Sequence, residues 1–264
     1  MRAGWLSLRR IFAQFLYHAK QNHNGHMSNK KRKPRFNISA LYRSATLFCS
    51  QRSRKSPVED ECWLGRVTRR LPGEEWPRDR RGRRLVPLAT IFLRNMHGVP
   101  CFLQHLELIT IFAPRGLSVL HSYPQSGFVI RTYESTQNLE VWDCTSRALE
   151  PCVLYPSFVD RDLPGREALY SDDKIWSVFE QMSEKTCETI EAEYKNLGHK
   201  LGGYPIYLQS CPSYIHAYTH AVGYQYVLQI DTDFEAGLRI GDMGHFYFYC
   251  DEHARRWYIH SDCC

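Results

Sequence analysis

The sequence predicts an α+β fold in which β structure dominates, on three observations. Aromatic residues make up 13% of the chain, with sixteen Tyr, thirteen Phe and six Trp, and flat rings pack well on a pleated surface. Short apolar runs recur between clusters of turn-forming residues. A long 3.6-residue period occurs in one place, between Asp172 and Leu197. At 264 residues and 43% apolar content the chain can bury a core without covalent staples.

Residues 1–26 carry an amphipathic pattern, with Leu8, Ile11, Phe12, Phe15 and Leu16 on one face and Arg9, Arg10 and Lys20 elsewhere. An organellar presequence, a membrane-surface helix and an upstream extension of a chain starting at Met27 all fit it. The extension is the reading adopted. Residues 28–58 read as a solvated basic linker, broken by a short apolar patch at Leu41 and at Leu47 to Phe48. The chain is therefore divided into a basic, poorly ordered leader over 1–58 and a globular domain over 59–264.

The leader also explains the charge. The formal charge of the chain is +6, yet every acidic residue lies at or after Glu59. Without the leader the domain is mildly acidic, and a basic tail alone attracts polyanions without specificity. No specific nucleic-acid partner is expected.

In the domain, Leu85 to Arg94 reads as a strand with Pro87 near its start, where a missing amide costs least. Leu106 to Phe112, Phe128 to Tyr133 and Leu139 to Trp142 follow, and these four are expected to share a sheet. The predicted helix over 172–197 buries Ile175, Phe179, Met182, Ile190, Tyr194 and Leu197, with Gly198 as its stop. Tyr224 to Ile230, Gly244 to Cys250 and Trp257 to His260 complete the set as antiparallel strands with tight connections.

Four segments, in this order, carry a family likeness: CWLGRVTRRLPGEEWP from Cys62, VPLATIFL from Val86, HKLGGYPIYLQ from His199, and the closing series VLQIDTD, GDMGHFYFY and WYIHSDCC. Together they resemble the YwqG-like family, a bacterial domain family of unknown function. The resemblance covers Cys62 onward. It implies a roll of twisted antiparallel sheet with a few helices and brings no catalytic residues with it. The chain departs from the pattern at Ile240, where the family commonly has Trp, and at Cys62 to Arg66, where a Gly-Gly pair is common.

The candidate site residues come from three places. Gly202 and Gly203 before Tyr204 permit a positive-φ turn and a close approach to a ligand, with Gln209, Gln229, Trp76 and His245 as further binding candidates. Asp231 and Asp233 end a predicted strand, and Asp242 lies in the following Gly-Asp-x-Gly turn. Strand pairing is expected to gather the Gly203, Asp231 and Asp242 segments at one rim, where carboxylates could hold a divalent ion or exchange protons. Cys250-x2-His253 followed by His260-x2-Cys263 matches the ligand types of a zinc site; the competing reading makes Cys250 a buried packing residue.

No nucleophile elbow, phosphate loop or dinucleotide fingerprint occurs in the sequence. Ten irregularly spaced cysteines without a secretory signal suggest reduced thiols in a cytoplasmic protein. No apolar run is long enough to span a bilayer. The sequence therefore suggests a non-enzymatic module that binds a protein partner, in one version a toxin it neutralises, with no cofactor. The alternative is a metal-assisted hydrolase or small-ligand protein using Asp231, Asp233 and Asp242.

Overall fold

A computed structural model describes residues 38–56, 60–116, 127–165, 198–208 and 222–263. Twelve strands are formed: β1 (Arg43–Arg52), β2 (Cys62–Leu64), β3 (Arg66–Arg70), β4 (Val86–Phe92), β5 (Leu108–Ala113), β6 (Val129–Tyr133), β7 (Glu140–Thr145), β8 (Cys152–Asp162), β9 (His199–Gly202), β10 (Gln225–Asp231), β11 (His245–Cys250) and β12 (Trp257–Asp262). Helical structure among the described residues is confined to short turns such as Ile38–Leu41 and Cys101–Leu103. The expected β-dominated antiparallel fold is therefore the observed one. The helix predicted over 172–197, the pattern in residues 1–26, Met27 and Gln209 lie outside the described residues.

Ten strands form one antiparallel sheet in the order β12-β11-β10-β9-β1-β8-β2-β4-β5-β6. β4 and β5 are buried at every position, which is why they read as unbroken apolar runs rather than alternating ones. The sheet curls on itself. Phe128, just before β6, packs edge-on against Phe246 and Phe248 of β11, 5.3 and 5.7 Å between ring centres. Residues of β4, β5, β10, β11 and β12 thus share one apolar core.

Two expectations need correction. The domain does not begin at residue 59: the described residues all belong to a unit spanning Phe36–Cys264, and β1 lies inside the sheet between β9 and β8. Its basic ends, Arg43 and Arg52, are exposed while Ala45, Thr46 and Phe48 are buried, so charge at the strand ends disguised an apolar centre. Nor do the four early strands share a sheet. β7 pairs with β3 in a separate two-stranded sheet, which packs on Phe112 through Val67, Cys144 and Trp142.

No helix among the described residues is long and apolar enough to cross a membrane.

Candidate functional site

The register of β9 to β12 builds a row of buried polar side chains across four strands. Lys200 lies opposite Gln229, Gln229 opposite Tyr247, and Tyr247 opposite His260. Because side chains alternate along a strand, this row faces away from the apolar core that holds Leu201, Leu228, Phe246, Phe248 and Ile259. Buried polar groups must be bonded or they cost stability. Here the segment 204–208 satisfies Gln229 and Tyr247.

Gln229 accepts the Ile206 amide at 2.9 Å and donates to the Gly198 carbonyl at 3.1 Å. The Tyr247 hydroxyl lies 2.7 Å from the Ile206 carbonyl and 2.6 Å from Asp262 Oδ1. Asp262 Oδ2 accepts the Leu208 amide at 3.0 Å. Burial, first of all, pushes the Tyr247 hydroxyl far above its ordinary value, with the Asp262 charge acting in the same direction, so it stays protonated and donates. The row is a clamp on the chain that crosses it.

At the inner end of the row, Lys200 is buried and its ammonium lies 3.1 Å and 3.2 Å from the two oxygens of buried Asp162. Asp162 Oδ2 also accepts the Tyr204 amide at 2.7 Å, and the Tyr204 hydroxyl donates to the Leu41 carbonyl at 2.8 Å. Burial lowers the Lys200 pKa while the Asp162 charge opposes that shift. The space in front of the two glycines is filled by the protein's own chain. A Cβ on Gly203 would come within 2.1 Å of Asp162 Oδ2, and one on Gly202 within 2.2 Å of the Gly98 carbonyl oxygen. Gly202 and Gly203 are not a cradle for a ligand, because the close approach they permit is already used.

The opposite end of the β9–β10 pair holds two Asp–His contacts. His199 Nδ1 accepts the Asp231 amide at 3.1 Å, so its proton sits on Nε2, which donates to Asp233 Oδ2 at 2.9 Å. Burial pushes Asp233 up, but hydrogen bonds from His199, Ser50 and the Ala236 amide outweigh it and bring it down to about 2. His245 Nε2 lies 3.2 Å from Asp231 Oδ1. Burial first of all, helped by the Lys200 charge, lowers His245 to about 4, so the ring is neutral near pH 7. Its Nε2–H then faces Asp231, and its buried Nδ1 finds no hydrogen-bond partner among the described residues. Asp231 is pushed up to about 6, chiefly by burial.

The pH dependence follows. A carboxyl raised from 3.8 to about 6 costs nothing below the lower value, and the destabilisation grows as pH rises from there through the upper one, above which it is constant. Asp231→Asn is therefore expected to raise stability by about 2 kcal/mol at pH 7.5 and to leave it unchanged at pH 3.5. Urea titrations of both proteins at the two pH values check this. His245 runs the other way, losing stability as pH falls from about 6.5 to about 4.

The expected common rim is not formed. In the antiparallel β9–β10 pair, Gly203 lies beyond the Leu201–Leu228 end and Asp231 beyond the Lys200–Gln229 end, roughly 15 Å apart along the strands. Asp242 sits exposed in the turn before β11. No group of three or more His, Cys, Asp or Glu able to hold a metal ion occurs among the described residues. The zinc set fails for a geometric reason: Cys250 points into the apolar core with Trp257 and Ile259, while His260 stacks on Tyr247 on the other face at 5.8 Å. His253 is exposed beside Glu252, and Cys263 is half-buried next to Gly241.

Trp76 also stands apart, donating to the Leu85 carbonyl at 2.8 Å and meeting Trp142 edge-on at 6.1 Å. The buried thiols among the described residues are held protonated rather than activated. Desolvation raises Cys62 and Cys144 to about 12 and Cys152 to about 11.

What sequence reasoning missed lies in β8. β2 pairs only with its first residues, Cys62 opposite Leu154 and Leu64 opposite Cys152. From Tyr155 to Asp162 its only strand partner among the described residues is β1. Tyr155 and Phe158 are each 48% exposed on this stretch, and the Phe158 ring lies 5.0 Å from His97. Pro156 broke the apolar pattern and hid the strand, although proline is at home on an edge.

The family model described as Domain of unknown function (DUF1963) matches residues 67–256. No curated protein matches the chain.

Proposed function

From the premise that this chain belongs to the family described as Domain of unknown function (DUF1963), we propose that it is a non-enzymatic binding module that takes an extended segment of a protein partner along the edge of β8 that has no second strand partner among the described residues. The observation that carries this reading is the aromatic edge itself. The stretch Tyr155–Arg161 lacks a second strand partner among the described residues and exposes Tyr155 and Phe158 on its two sides. Added strands gain main-chain hydrogen bonds for affinity, and pockets for alternate side chains give selectivity.

The polar groups elsewhere support the same reading by being occupied. Gln229, Tyr247 and Asp262 hold segment 204–208, Asp162 holds Lys200 and Tyr204, and Asp233 holds His199. The DUF1963 match and the quoted motifs support the finer assignment to the YwqG-like type. A toxin neutralised by this chain is one form the partner can take, and a captured partner that is itself toxic to cells would support it.

The test places a photo-crosslinking residue at Tyr155 in the full chain and exposes it to native lysate, with the more exposed Val141 on β7 as a control. One adduct of defined mass is expected from position 155 and none from 141. Phe158→Asp is expected to reduce that adduct at least tenfold, roughly the loss of one aromatic anchor, without changing Tm. An adduct indifferent to Phe158→Asp, or no adduct at all, would remove the edge as the binding surface.

A further inference from the structure

The hairpin between Trp76 and Leu85 carries five arginines against one aspartate, in the order Arg78, Asp79, Arg80, Arg81, Gly82, Arg83, Arg84. The mild acidity of the domain as a whole conceals it. All five arginines are exposed. Their backbone is held in one shape: Arg78 and Arg84 form an antiparallel bridge, the Asp79 amide donates to the Arg83 carbonyl at 2.8 Å, and the Gly82 amide donates to the Asp79 carbonyl at 2.9 Å.

The one acid is consumed inside the turn. Asp79 Oδ1 accepts the Arg81 and Arg83 amides, each at 2.9 Å, and Oδ2 pairs with the Arg83 guanidinium at 2.7 Å. Bonds from the Arg83 amide and side chain, with the Arg81 amide, hold its carboxyl below the ordinary range. Arg78, Arg80, Arg81 and Arg84 are left without a carboxylate partner among the described residues. Arg84 instead lies over the Trp76 ring at 4.8 Å, and Arg78 donates to the Gly82 carbonyl at 2.8 Å.

We infer that this hairpin is a second binding surface, distinct from the β8 edge, and that its partner is a short carboxylate-rich protein segment. Planar guanidinium groups on a fixed backbone suit bidentate pairing with carboxylates. Two observations favour an acidic peptide over a nucleic acid. The unpaired positive charge is local: around the hairpin, Arg66, Arg70 and Arg131 are already paired with Asp143, Glu140 and Glu74, so the free guanidinium groups match a short acidic segment rather than the length of a phosphate backbone. The nearby indoles are also taken as stacking platforms, Trp76 by Arg84 and Trp142 by Arg70 at 4.8 Å, whereas single strands bind through free aromatic faces.

The experiment compares the full chain with its Arg80→Ala/Arg81→Ala variant, using fluorescence anisotropy of a labelled octaglutamate peptide and of a labelled single-stranded 20-mer oligonucleotide at about 50 mM salt, where charge pairing is weakly screened. The basic segment ahead of residue 36 is common to both proteins, so the readout is the difference between them. The variant is expected to bind the peptide at least fivefold more weakly, at unchanged Tm, with a smaller loss for the oligonucleotide. A loss of peptide affinity below fivefold, or a larger loss for the oligonucleotide than for the peptide, would overturn the proposal.

Discussion

Lys200→Met is expected to lower stability by about 3–5 kcal/mol, the cost of removing one member of a buried ion pair and leaving the other unpaired. Asp162 would remain buried, bonded to the Tyr204 amide but without its cation. For a unit of this size the loss corresponds to a fall in Tm of roughly 10 °C, and urea unfolding at pH 7 measures it. The double variant Lys200→Met/Asp162→Asn recovers part of that loss, because no uncompensated charge is left behind and the Asn carbonyl can still accept the Tyr204 amide. If Lys200→Met alone left stability unchanged, the ammonium would not be held by Asp162 as described. Binding at the β8 edge should survive both changes below the new Tm, which separates a structural lysine from a functional one.

Gly202→Ala is the second large effect, expected to cost about 3 kcal/mol or more. Gly202 has φ +71°, a conformation that disfavours any side chain, and its Cβ would meet the Gly98 carbonyl oxygen at 2.2 Å. Gly98 cannot retreat, since its own Cα lies against the Ala45 backbone, where an added Cβ would come within 2.7 Å. Three stretches of main chain, at residues 45, 98 and 202, are thus in contact with no room between them. Thermal unfolding of the variant checks the value. A loss under about 1 kcal/mol, the ordinary size of a surface change, would mean that these backbones are not in such contact.

The two variants also explain how much the sequence disclosed. Runs such as Val86–Phe92 and His245–Cys250 were legible because burial on both faces demands apolar residues without interruption. β1 and β8 were not, since Arg43, Arg52, Pro156 and Arg161 break the pattern at exposed positions. The placing of Gly203 and Asp231 was not legible for a different reason. Gly203 and Asp231 are each adjacent to a strand end, but only the register Leu201–Leu228 tells which end, and no spacing in the sequence encodes it. The partners that matter most, Lys200 with Asp162 and His199 with Asp233, lie 38 and 34 residues apart.

Amide hydrogen exchange of the full chain, with and without the partner crosslinked through Tyr155, compares the two surfaces in a single measurement. On the present account the amides of Tyr155–Arg161 slow at least tenfold in the complex, as expected when an added strand supplies hydrogen bonds, while those of residues 204–208 keep the rates of the free chain. Protection confined to 204–208 and the β9–β12 row, with β8 unchanged, would contradict it and return the buried polar row to the centre of the function.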